Sequence, residues 1–323
     1  MSAPQPSPTD PGFIALEGGT SRIEVVPQHG GRVRSLRLGG REWLLSEGVG
    51  TEPRAGSRPI DGAGWDECAP AAGAGTLPDW VKGVGGRPVP VGGEARSKVP
   101  DVNIRTEAGG HQVECTWRGD RLPWELHRSL LIRPDGAVEA RYEALTTGEH
   151  RLPFLWSAHL LFPLSAATRV KLPDAGRLRI SELTGAGMEK AAADEAAKWP
   201  RLTLDGKPRD LATPWSVPKS TMLHGWVDLS LGRSSVQLAQ GSARLTISTD
   251  GAGVPVCGVA IDRSGSRGAP RGKTGRSGRP AIALMPSLGA PDRYAEALGE
   301  WQSVTWLVPG EPRRWTLTFR ADS

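Results

Sequence analysis

The stretch Glu125-Leu-His-Arg-Ser-Leu-Leu-Ile-Arg-Pro-Asp-Gly-Ala-Val-Glu-Ala-Arg-Tyr-Glu-Ala144 decides the class of fold. Regular alternation on both flanks, joined by the tight-turn signal Arg133-Pro-Asp-Gly136, predicts an antiparallel hairpin. The same pattern recurs in both directions. Upstream, Gln112 to Trp117 alternates, and Ser21 to Val26, the turn signal Gln28-His-Gly-Gly31, Val33 to Leu38 and, past Gly39-Gly40, Glu42 to Leu45 read as an antiparallel meander. Downstream, strands are expected at 151–161, 169–172, 177–180, 235–239, 243–248, 256–261, 281–284, 303–307 and 314–319. Helical signals are confined to the Ala-rich 188–199 segment and a short turn at 293–298 that Asp292 can cap.

Composition agrees with an all-β fold. The 323 residues include 42 glycines and 28 prolines, and 38% hydrophobic content supplies a large core. Strands run from the first fifth of the chain to its end with no dividing linker. One large antiparallel β-sandwich over residues 13–323 is therefore expected, after a disordered leader at 1–12. Two long loops interrupt it: a Gly/Pro/Ala-rich one at 46–98, of a length that usually carries function, and a basic one at 263–279.

Several function classes are excluded. The net charge of +5 is spread among nearly as many acids as bases, and the 263–279 stretch has no large apolar or aromatic residue to stack on bases, so no nucleic-acid partner is expected. Three widely spaced cysteines, Cys68, Cys115 and Cys257, give neither a disulfide framework nor a zinc knuckle. No phosphate-cradling glycine loop occurs, and no cofactor or metal is expected. Without an apolar run of about 20 residues or a signal-peptide pattern, no membrane partner is expected, and the cytoplasm is the expected compartment.

Function is concentrated in Pro153-Phe-Leu-Trp-Ser-Ala-His-Leu-Leu-Phe162, where one histidine stands in an otherwise buried strand. His159 must either be hydrogen-bonded for structural reasons or be aimed into a pocket. Tryptophan, with 12 copies against 4 phenylalanines and 2 tyrosines, is the only abundant aromatic. An indole face can stack on a sugar ring, although core packing is the ordinary role.

Four segments in order, Val25-Val-Pro-Gln-His-Gly-Gly-Arg-Val-Arg-Ser-Leu36 with Gly40-Arg-Glu-Trp-Leu44, Gly64-Trp-Asp-Glu-Cys-Ala-Pro70, Pro153 to Phe162, and Leu284-Met-Pro-Ser-Leu-Gly-Ala-Pro-Asp292 with Leu307-Val-Pro-Gly-Glu-Pro-Arg-Arg-Trp315, resemble the galactose mutarotase-like, or aldose 1-epimerase, superfamily. The resemblance spans nearly the whole chain. It implies a β-supersandwich with a sugar-binding groove on a concave face, and interconversion of the α and β anomers of an aldose by ring opening. That chemistry needs a base for the anomeric hydroxyl and an acid for the ring oxygen.

The acid matches His159. The base, in a Glu-Pro pair in similar enzymes, falls here on Met285-Pro286, and the second histidine, from the long loop, falls on Trp80 in Pro78-Asp-Trp-Val81. Methionine accepts no proton, so the expected catalytic set is degraded. Asp66, Glu67, Asp228 and Asp292 are the carboxylates available to replace it. The resemblance implies sugar contacts from Asp66, Glu67, Trp80, Trp156 and Asp228, and as ligand an aldohexose or its phosphate. A non-catalytic sugar-binding or regulatory module using the same groove is the alternative.

Overall fold

The computed structural model describes residues 12–45, 63–107, 110–173, 176–185, 197–229, 234–250, 253–264 and 279–322. The hairpin read from the sequence forms as expected: Trp124–Ile132 pairs antiparallel with Val138–Thr146, Ile132 facing Val138. Gly136, at φ +79°, takes the left-handed turn position that a Cβ would strain, and its N–H donates to the Arg133 carbonyl at 2.9 Å. Burial along the first strand is strictly alternate, so one face is committed to the core.

Two antiparallel sheets make up most of the described chain. A ten-stranded sheet runs in the order Ile14–Gly18, Ser21–Val26, Arg32–Leu38, Trp65–Cys68, Ser157–Pro163, Ala281–Ser287, Val256–Asp262, Met222–Asp228 and Leu178–Thr184, with Arg41–Glu42 paired to Arg32–Leu38. An eight-stranded sheet runs Thr168–Lys171, Ser234–Gln240, Ala243–Asp250, Arg313–Asp322, Val138–Thr146, Trp124–Ile132, Gly110–Arg118 and Asp101–Glu107. One cluster of buried side chains, including Ile23, Leu130, Leu160, Ile247, Leu284 and Phe319, joins the two. Each such side chain contributes roughly 1.5–3 kcal/mol by leaving water.

The middle of the ten-stranded sheet is covered on both faces. Val256–Asp262 and Ala281–Ser287 are buried at every position, which is why they read as continuous apolar runs. Leu284 belongs to the cluster between the sheets, whereas Ala281, Ala283 and Met285 join Leu45, Leu161 and Ala260 in a separate cluster on the other face. The period of two thus sorts each strand between the core and a second face.

Four expectations change. The 46–98 segment contains a strand, Trp65–Cys68, at the centre of the larger sheet, and it escaped notice because four residues with two acids show no apolar alternation. The expected 151–161 strand is two: Leu152–Phe154 pairs with Thr305–Leu307 in a small sheet, and the chain crosses at Leu155-Trp156 into Ser157–Pro163. The helix Tyr294–Leu298 forms where expected, but its N-cap is Arg293 with no side-chain cap, because the Asp292 carboxylate points to a histidine instead. Of the helical segment at 188–199, residues 197–199 are described and are not helical. The rest of that segment, the leader to residue 11, residues 46–62 and residues 265–278 lie outside the described residues.

Candidate functional site

Register places the candidate residues in rows across this second face. His159 stands opposite Asp66, the Leu160–Leu284 pairing sets Met285 on its other side, and Met285 faces Gly258, which faces Trp226. In the next row Leu161, Ala283, Ala260, His224 and Glu182 follow one another from strand to strand. His159 and His224 therefore lie three strand spacings and one row apart, on the order of 14 Å across the strands and about 7 Å along them.

Both histidines line one cleft of about 290 Å³. Its floor is apolar at Leu161 and Met285, and its rim carries Arg96, Glu182 and Asp292. Val91 and Gly92 close one side from the loop that Gly93 fixes in place. Gly93, at φ +72°, bridges to Ala69 so closely that a Cβ there would come within 2.2 Å of the Ala69 carbonyl oxygen. Cys68 also faces the cleft. Burial pushes its thiol up to about 12, with Arg96 opposing and Asp66 adding, so it behaves as a small apolar wall.

Asp66 faces His159 across the adjacent strand, but against expectation it is buried and does not line the cleft, and it is neutralised where it stands. Arg32 donates to its carboxylate through two nitrogens, at 2.5 and 2.7 Å, and Arg96 Nε donates at 3.1 Å. Burial pushes this carboxyl upward, but the two guanidiniums, with His159 adding, more than reverse it and hold the group below its ordinary value. Asp66 is thus a fixed anion, ill suited to take up a proton. His29, in the 3-10 turn Pro27–His29, is held below its ordinary value by burial and by Arg32, with Asp66 opposing.

Glu67 goes the other way. As the next residue of the same strand it points between the sheets, where it accepts from Arg128 at 2.9 Å, from the Tyr142 hydroxyl at 3.0 Å and from Trp156 Nε1 at 2.7 Å. Burial, with the Glu67 carboxylate adding, keeps the Tyr142 hydroxyl well above its ordinary value and so protonated as a donor. Trp156 packs there against Tyr142 and Trp315, each at a ring separation of 4.7 Å. The expectation that Glu67 and Trp156 touch a sugar is corrected: both are buried in the inter-sheet core and neither lines the cleft.

Trp80 and Asp228 are also elsewhere. Trp80 is 61% exposed, lies beside Trp306 at 6.4 Å and does not line the cleft. Asp228 shares the strand face of His224 but ends the strand, where Arg179 donates to it at 3.1 Å and itself covers the Trp301 ring.

The structure instead brings in His224. Its ring is buried, with Nδ1 lying 3.2 Å from the Asp292 carboxylate and Nε2 enclosed. Alternation in Met222–Asp228 was the available signal, since it puts His224, Trp226 and Asp228 on one face. The pairing with Asp292, 68 residues away, had no local trace.

No family model and no curated relative matches the sequence. Solved structures do match. The Slr1438 protein of Synechocystis sp. PCC 6803 superimposes with a TM-score of 0.66 at 17% identity, covering 100% of this chain and 99% of its own. A galactose mutarotase related enzyme from Lactobacillus acidophilus gives 0.64 at 14%, covering 96% and 97%. An aldose epimerase homologue from C. elegans gives 0.66 at 12%, covering 96% and 98%. The chain therefore has the fold of the galactose mutarotase-like, or aldose 1-epimerase, superfamily.

Proposed function

We propose that the cleft binds a single aldohexose and interconverts its anomers, with His159 as the acid that protonates the ring oxygen. The observation that carries this reading is the position of His159. It is half-buried on the ten-stranded sheet of a mutarotase-like fold and lines a cleft of about 290 Å³, near the lower end of the roughly 300–1,000 Å³ range of ligand pockets and suited to one small ring. An imidazole titrates near neutrality and can serve as acid or base there.

A neutral sugar fits better than its phosphate. Arg96 is the one arginine among the described residues that lines the cleft, and both Arg96 and Arg32 are already directed at Asp66. A dianionic phosphate would compete with that carboxylate for the same guanidiniums.

A second reading, sugar binding without turnover, is favoured by Met285, which sets a thioether beside His159 where similar enzymes hold a carboxylate. The two readings separate in one experiment. Two-dimensional exchange NMR on glucose, galactose and their 6-phosphates measures anomer interconversion, and ligand-observed titration measures binding. The catalytic reading expects acceleration with the free hexoses, reduced roughly 100- to 10,000-fold in His159→Ala. Binding without acceleration would select the second reading, and neither binding nor acceleration would reject both.

A further inference from the structure

We propose that this cleft selects aldoses whose C5 substituent is a methyl group, the 6-deoxyaldohexoses, over those that carry a hydroxymethyl group there. The inference rests on the reading that His159 meets the ring oxygen, and it names the substrate class within that reading.

Pyranose chemistry fixes what surrounds such a contact. The ring oxygen is bonded to C1, which bears the anomeric hydroxyl, and to C5, which bears the exocyclic carbon, so a group touching the ring oxygen has both substituents beside it. The surroundings of His159 are divided in the same way. On one flank is the strand of Asp66, and Arg96, whose Nε donates to that carboxylate at 3.1 Å, lines the cleft. On the other flank the Leu160–Leu284 pairing sets Met285 beside His159, and Leu161, two residues along from His159, points to the same side.

This second flank gives a hydroxyl little to bond. Leu161 and Met285 belong to a buried apolar cluster with Leu45, Ala260, Ala281 and Ala283. A thioether is a weak acceptor and donates nothing. The backbone polar groups there are already paired: the Leu161 N–H donates to the Gly64 carbonyl at 3.0 Å, the Leu161 carbonyl accepts from the Leu45 N–H at 2.8 Å, and Met285 lies in a strand paired on both sides. The anomeric hydroxyl therefore belongs on the Arg96 flank and the C5 substituent on the Met285 flank. A methyl group gains there by leaving water, whereas a hydroxymethyl group gives up its hydrogen bonds to water without replacement. A difference of one such group is worth roughly 10- to 100-fold in kcat/KM.

The test uses the full chain and two series of sugars that differ only at C5: D-xylose, 6-deoxy-D-glucose and D-glucose, and L-arabinose, 6-deoxy-D-galactose and D-galactose. Exchange NMR gives kcat/KM, and ligand-observed titration gives affinity. In the better series the 6-deoxyhexose should exceed the hexose by about tenfold or more, and the pentose, which leaves the flank unfilled, should also fall below the 6-deoxyhexose. Met285→Gln, close in length, sets an amide on this flank and should bring the ratio to within about threefold by raising the hexose, a gain that also shows that the variant folds. A wild-type ratio short of the expected one, or a ratio that a folded Met285→Gln leaves unchanged, overturns the inference and leaves the anomerisation reading standing. Where sugars bind without acceleration, the affinity ratio decides by the same limits. A wild type that neither binds nor accelerates any of the six overturns both.

Discussion

Two acid–base clusters built from adjacent residues of one strand have opposite characters. Around Glu67, Arg128, Tyr142 and Trp156 supply donors between the sheets, and Arg128 lies over the Trp117 and Trp65 rings at 5.1 and 5.6 Å. Around Asp66, two guanidiniums close on a buried carboxylate, and of the three groups Arg96 lines the cleft that also holds His159. Residue types alone do not distinguish them. The difference is access: the first cluster is sealed by aromatic rings and serves the packing, whereas the second reaches, through Arg96, a space that a ligand can enter.

The contrast can be broken most forcefully at Glu67. Glu67→Gln leaves the Arg128 charge without its carboxylate in the interior, and should cost about 3–5 kcal/mol in urea-unfolding free energy. A loss below about 1 kcal/mol would mean that the interior pair is replaceable. Asp66→Asn should cost less, about 2–3 kcal/mol, since it removes charge-assisted hydrogen bonds from a carboxylate one of whose two arginines, Arg96, is partly exposed.

Its clearest signature is the response to acid. Because the folded carboxyl is held below its ordinary value, its contribution is complete above the unfolded value of about 3.9 and is lost as pH falls through the lower folded one. Asp66→Asn should therefore flatten the stability profile below about pH 4, and an unchanged acid limb would contradict the assignment.

Further down the scale, His159→Ala should change unfolding free energy by about 1 kcal/mol or less, in contrast to its expected effect on turnover. A larger loss would make this ring a packing residue. Smallest of all, Trp80→Ala should leave hexose affinity within about twofold and stability within about 0.5 kcal/mol, because the ring is exposed and outside the cleft. A marked loss of affinity would draw the 78–87 turn into the binding surface.

The sequence disclosed the architecture wherever one face of a strand meets water, as in the 125–144 hairpin, whose alternation leaves no other reading. It was less legible where both faces are covered. Trp65–Cys68 carries tryptophan, two acids and cysteine, all buried, and its acids are accommodated by cations brought from Arg32, Arg96 and Arg128. Nothing local announces such partners. Reading Asp66 and Glu67 as neighbours in a loop placed them together, whereas a strand must send them to opposite faces. His159 stood out because an imidazole among apolar residues is conspicuous. His224 did not, because its meaning comes from Asp292, which reaches it across the sheet.

The brevity of the Trp65–Cys68 strand carries a lesson for anyone who re-engineers this scaffold. One inserted or deleted amino acid there would swap the destinations of both acids, driving the anion held by Arg32 and Arg96 into the space between the sheets and sending the other to the opposite face. Libraries aimed at new ligands should hold this four-residue strand at constant spacing.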